Sequence, residues 1–149
     1  MKIFDFFKKT VSNKKDELSF DEVNELSLFN LDIHSESFLQ KAIELKDVNK
    51  KFQKGFNLLH FACEYGSIEL AKKMIERKIS IEDKNIYGNT PLWIAVFNSK
   101  GNYEFVDLLL LNNANPNCLN KANNTPFKFA QTIGDDILIK KLEKATTNR

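Results

Sequence analysis

Two histidines, His34 and His60, and two cysteines, Cys63 and Cys118, are the side chains that could serve as base, nucleophile or soft metal ligand near neutral pH. Covalent catalysis needs a nucleophile, a base and a group that orients the base, and no spacing here assembles such a set. The cysteines lie far apart and make no zinc pattern, so both are expected to be free thiols, which suits a reducing compartment. Cys63 follows Phe61 and Ala62 and should pack as a small hydrophobe. Gly66, Gly88, Gly101 and Gly134 stand singly and form no phosphate-cradling loop. These residues point away from an enzyme: no catalytic residue, metal or cofactor is expected. Aromatic side chains between Phe56 and Phe97 offer a different chemistry, recognition of another protein, because Tyr and Trp are enriched at the energetic centres of interfaces.

The elements that must position those aromatics are repeats. Tyr87-Gly88-Asn89-Thr90-Pro91-Leu92-Trp93-Ile94-Ala95 has a counterpart beginning at Gly55, offset by 33 residues, and another beginning at Asn123, offset by 35. The segments Asp47-Val48-Asn49, Ser80-Ile81-Glu82 and Asn115-Pro116-Asn117 each end six residues before the Gly55, Gly88 or Asn123 slot. A fixed period of this size implies a stack of small units. Within each, a short helical pattern is broken at Gly66, Gly101 or Gly134, and a second helical pattern follows. Thr90 and Thr125 suit the N-cap and Pro91 and Pro126 the first helical position; Asn57 is an equally good cap where the proline is missing. Leu59, Leu92 and Phe127 should point into the stack, while Ala62, Ala95 and Ala130 let helices approach. Outer helices carry apolar stripes of Ile68, Ala71, Met74 and Ile75, then Phe105, Val106, Leu109 and Leu110.

On these residues the sequence resembles the ankyrin repeat, whose Gly-x-Thr-Pro-Leu-His-x-Ala core and Ala-Asp-Val-Asn tail it matches best between Gly55 and Asn117. The resemblance implies an all-α ankyrin-repeat solenoid of about four helix pairs with an extra N-terminal capping helix. Residues 1–18 form the capping helix and loop, and residues 19–149 the repeat domain, with units at about 19–51, 52–84, 85–119 and 120–149. It also implies that His60 is structural, bonding neighbouring loops, and that Trp93 replaces this histidine in the next unit. Two departures stand out: the loop at Asn98-Ser99-Lys100-Gly101 is longer than its counterpart, and Lys78 occupies a slot where the family favours a left-handed glycine.

Ile3, Phe4, Phe7 and Val11 share one face of the proposed capping helix. Asp5 and Lys8 interrupt this stretch before any export signal could form. Ser19 to Glu22 reads as a capping box opening a helix to about Phe29, and Ser35 or Ser37 caps a second helix carrying Phe38, Leu39, Ala42, Ile43 and Leu45. A net charge of +2 with 28% charged residues argues against nucleic acid or an anionic membrane as partner. No apolar run is long enough to span a bilayer, so a cytoplasmic protein, monomeric when free, is expected.

Repeat geometry leaves the hairpin tips and the loop-side ends of the inner helices for binding. The expected partner site is Phe56, Tyr65, Ile86, Tyr87, Asn89, Trp93, Phe97 and Asn98, rimmed by Lys54, Lys84 and Lys121, whereas Lys72, Lys73 and Asp107 face solvent on the opposite side. The partner is read as another protein, a toxin, an enzyme or a complex subunit. Small stand-alone ankyrin-like proteins of this Asn, Lys, Ile and Phe-rich composition look bacterial, and some such proteins are encoded beside toxins or enzymes that they neutralise. The reading is therefore an immunity or inhibitor protein, with a regulatory adaptor or scaffold subunit as the alternative.

Overall fold

The computed structural model describes residues 32–147. The expected capping helix of residues 1–18 and the capping-box helix from Ser19 lie outside them. The chain divides after Lys46, and its two parts are taken separately. In the first, α1 (Glu36–Glu44) is capped by Ser35, whose hydroxyl accepts from the Phe38 N–H, and Phe38 and Ala42 are its buried residues.

The second part contains three helix pairs: α2 (Leu58–Tyr65) with α3 (Ile68–Glu76), α4 (Pro91–Asn98) with α5 (Glu104–Leu111), and α6 (Pro126–Ile133) with α7 (Asp136–Thr147). There is no strand among the described residues. The start of each inner helix follows the sequence. Asn57, Thr90 and Thr125 accept from the backbone N–H three residues on, and Pro91 and Pro126 stand where no N–H is needed. α2, α4 and α6 lie side by side, each backed by its own outer helix.

The core runs as a ribbon through the pairs. Leu59, Leu92, Ala62, Ala95 and Ala130 are buried, but Phe127 is only half-buried. In the same last pair, the slot filled by buried Cys63 and Val96 holds exposed Gln131, so this pair turns a polar side outward. Burial also corrects the outer stripes. In α3 the buried residues are Leu70, Ala71 and Met74, with Ile68 and Ile75 half-buried; in α5 they are Val106 and Leu109.

Both expected departures have a local form. Five residues separate α4 from α5 where two separate α2 from α3, and α5 is one residue shorter than α3, leaving the net two-residue insertion. Lys78 adopts φ 64° and its counterpart Asn113 φ 66°, the left-handed turn that ends α3 and α5 without glycine.

The tails form a second line of register. Asn49 Oδ1 accepts from the Ser80 N–H at 2.6 Å, and Glu82 Oε1 accepts from the Asn115 N–H at 2.7 Å. The last residue of one tail thus holds the first residue of the next.

Candidate functional site

The hairpin tips are tied to one another by backbone. The Ile86 N–H donates to the Lys54 carbonyl at 2.9 Å, and the Lys121 N–H donates to the Tyr87 carbonyl at 3.0 Å. Glycine makes this approach possible at Gly88, which has φ +77°; a Cβ there would lie 2.8 Å from the Lys121 nitrogen. Asn123 fills the same slot in the last tip at φ 54°.

Two different chemistries hold the turns. In the second and third tips, Asn85 Oδ1 accepts from the Tyr87 and Asn89 N–H groups, and Asn120 Oδ1 from those of Ala122 and Asn124. In the first tip the corresponding residue is Phe52, which packs against Phe61 at 5.9 Å; Phe56 meets Phe61 and His60, each at 5.3 Å.

His60 is fully buried. Its Nδ1 lies 3.2 Å from the Asn57 nitrogen and 2.7 Å from Asn57 Oδ1, and its Nε2 lies 3.0 Å from the Asn89 carbonyl; with the proton on Nε2, the neutral ring accepts from the Asn57 N–H and donates to that carbonyl. Burial lowers its pKa to about 4, against the opposing pull of the Asn89 hydrogen bond. The ring is a structural bolt between units. His34, by contrast, is exposed. Burial, with the nearby Glu64 charge, pushes the Cys63 thiol well above its usual range, and both cysteines are unbridged. Among the described residues no three His, Cys, Asp or Glu side chains come together as metal ligands.

One unit further on, Trp93 occupies the His60 slot. It stacks on Phe97 at 5.4 Å, and both rings meet Phe129 at 5.5 Å. Its Nε1–H is buried and has no acceptor among the described residues. Trp93 is half-buried, while Phe97 is 53% exposed, Tyr87 49% and Ile86 50%. An aromatic layer therefore continues from the interior to the surface.

The other expected site residues divide. Phe56 and Tyr65 are half-buried and packed around Phe61. Burial and Glu64 raise the Tyr65 pKa. Asn89 is occupied within the stack, its Oδ1 accepting from the Asn120 amide at 2.9 Å. Asn98 donates to Glu64 at 3.1 Å across the seam between α2 and α4. Lys84 donates to the Leu119 carbonyl at 2.7 Å, strapping two tips together; Lys54 and Lys121 are exposed at theirs.

The family model for ankyrin repeats in three copies matches residues 31–120, more than half of the chain. The chain belongs to the ankyrin-repeat family. Its repeats are protein-interaction modules, and the last helix pair, α6 and α7, lies beyond the matched span. No curated protein matches the sequence. Among the described residues no helix is long and apolar enough to cross a membrane.

Three residues escaped the sequence reading. Phe129 sits in the slot of buried Phe61 and Ile94, and the signal was there: an aromatic in that slot meets the preceding unit. Leu111 is 82% exposed and Ile137 is also exposed. Leu111 ends an unbroken apolar run from Leu108, which carries no periodicity to say which side faces water. It borders a groove of about 480 Å³ between α5 and α7, lined also by Leu110, Ala114, Lys141 and Lys144.

Proposed function

We propose that this protein acts by binding and not by catalysis, as an immunity or inhibitor protein that covers the working surface of a toxin or enzyme. The observation that supports the reading is that this one unit leaves three large apolar side chains exposed, Phe97 on the Trp93 and Phe129 ring cluster and Ile86 and Tyr87 at the tip. A rigid aromatic surface loses little conformational entropy when covered, and one such anchor contributes about 2–4 kcal/mol to a tight interface.

Two arms test this. The product of the neighbouring gene is expressed with and without this chain, and rescue of the growth or activity change it causes is expected. Tyr87→Ala with Phe97→Ala is then compared with Lys72→Ala with Lys73→Ala, each with an unchanged melting temperature. The aromatic pair should lose rescue and the lysine pair keep it. A neighbour unaffected by stoichiometric amounts of this chain removes the inhibitor reading.

A second reading, a scaffold subunit, is favoured by the groove beside Leu111, which lies between the outer helices and away from the tips. A scaffold would hold two partners at once, so a ternary complex lost on Leu111→Asp would choose it.

A further inference from the structure

The tips place charge and apolar surface in a fixed order. Because the Lys54 carbonyl holds Ile86 and the Tyr87 carbonyl holds Lys121, the exposed apolar pair Ile86 and Tyr87 is set between two lysine-bearing tips. Lys84 lies at the same edge, its ammonium fixed on the Leu119 carbonyl. At the same edge Lys51 lies 3.8 Å from Asp83. Across a chain whose formal charge is only +2, this is a local cationic surround for an apolar centre.

We propose that the tip surface recognises an acidic segment of a partner protein, one apolar or aromatic side chain flanked by carboxylates. The apolar residue lies on Tyr87 and Ile86, and the carboxylates lie toward Lys54, Lys84 and Lys121. Opposed charges steer encounter and set the register, while the apolar contact supplies affinity. This rests on the binding reading above and adds the chemistry of the partner.

The chain has a single tryptophan, Trp93, in the same unit as Ile86 and Tyr87 and three residues past the Thr90 cap, so its fluorescence is the signal. The probe is a capped peptide with phenylalanine between runs of glutamate, compared with the same peptide carrying glutamine or lysine instead. The glutamate peptide should shift the emission saturably, and its affinity should fall about tenfold as salt screens the lysines. Lys54→Gln with Lys121→Gln, shown folded by its helical circular dichroism and melting temperature, should weaken it by a similar factor. Glutamine or lysine peptides that bind equally well, no glutamate binding up to about millimolar concentration, or tighter binding of an oligothymidylate would each overturn the acidic-segment assignment. The site itself answers to a different result: if Tyr87→Ala with Phe97→Ala leaves both peptide binding and partner rescue intact, the tip surface is not where partners bind.

Discussion

The units at 52–84 and 85–119 are built on one plan, yet one is closed and the other open. In the first, the histidine slot holds a buried ring with both nitrogens bonded, and the tip is filled by Phe52 and Phe56 packed on Phe61. In the second, the slot holds Trp93 with an orphaned N–H, stacked on exposed Phe97, and the tip presents exposed Tyr87 and Ile86. The turn there is held instead by Asn85, which leaves aromatic groups off the duty of closing the tip. The lesson is that satisfying a repeat internally and presenting a surface are competing uses of the same slots. Hydrogen bonds made by small Asn side chains release large side chains for contact.

The largest expected effect tests the tips. Gly88→Ala adds a Cβ 2.8 Å from a backbone nitrogen at φ +77°, whereas at Gly55, φ +70°, the nearest atom is the Ile86 nitrogen at 3.2 Å. Both substitutions force an unfavourable φ and press on the backbone of the next tip, the first several tenths of an ångström harder. Gly88→Ala should cost roughly 3 kcal/mol or more, and Gly55→Ala about 1–2 kcal/mol. Urea unfolding of the two variants measures the difference. Equal losses would mean that the second tip is no more tightly joined to its neighbour than the first.

Next in size is the histidine bolt, which exists only in the closed unit. The folded-state pKa of His60 is about 4 against an ordinary 6.5, so folding favours its neutral form. Its contribution is complete above pH 6.5 and is lost as pH falls through that value toward 4, at about 1.4 kcal/mol per pH unit. The ring-proton titration of His60, followed by NMR alongside stability, checks this. A midpoint near 6.5 would show that the slot is wet, and the contrast with Trp93 would collapse.

How much of this was legible in the sequence follows from where the information is local. Caps at Asn57, Thr90 and Thr125 depend on residues that must stand at fixed places in a unit, and period plus residue type found them; the left-handed slot at Lys78 and the structural role of His60 came from the resemblance to the ankyrin repeat. Whether Trp93 or Phe97 is exposed depends on the neighbouring unit, and the sequence reading left that open. Phe129 closes over Trp93 and leaves half of Phe97 uncovered. Asn89 read as a free tip residue because its partner, Asn120, is one period away. The tail contacts from Asn49 and Glu82 were missed for the same reason: they join equivalent positions of consecutive units, a relation visible only once the units are stacked.

The smallest effect lies on the seam between the two units, where Asn98 donates to Glu64 at 3.1 Å with Glu64 exposed and Asn98 half-buried. Water competes for both groups, so the bond's net contribution is the difference between two similar states, and Asn98→Ala should cost under about 1 kcal/mol. Asn57 makes the control, since it has the same amide but is fully buried, capping α2 and donating to the Ser80 carbonyl. Asn57→Ala strands the His60 N–H in the interior, releases that half-buried carbonyl and should cost about 2–3 kcal/mol. A double-mutant cycle over Glu64 and Asn98 isolates the seam term. A coupling above about 2 kcal/mol would mean that the seam is a structural joint and that Asn98 belongs with His60 and Asn57 in the closed half of the molecule. A coupling near zero leaves Asn98 and Glu64 able to exchange each other for a partner's polar groups at little cost, as the open unit requires.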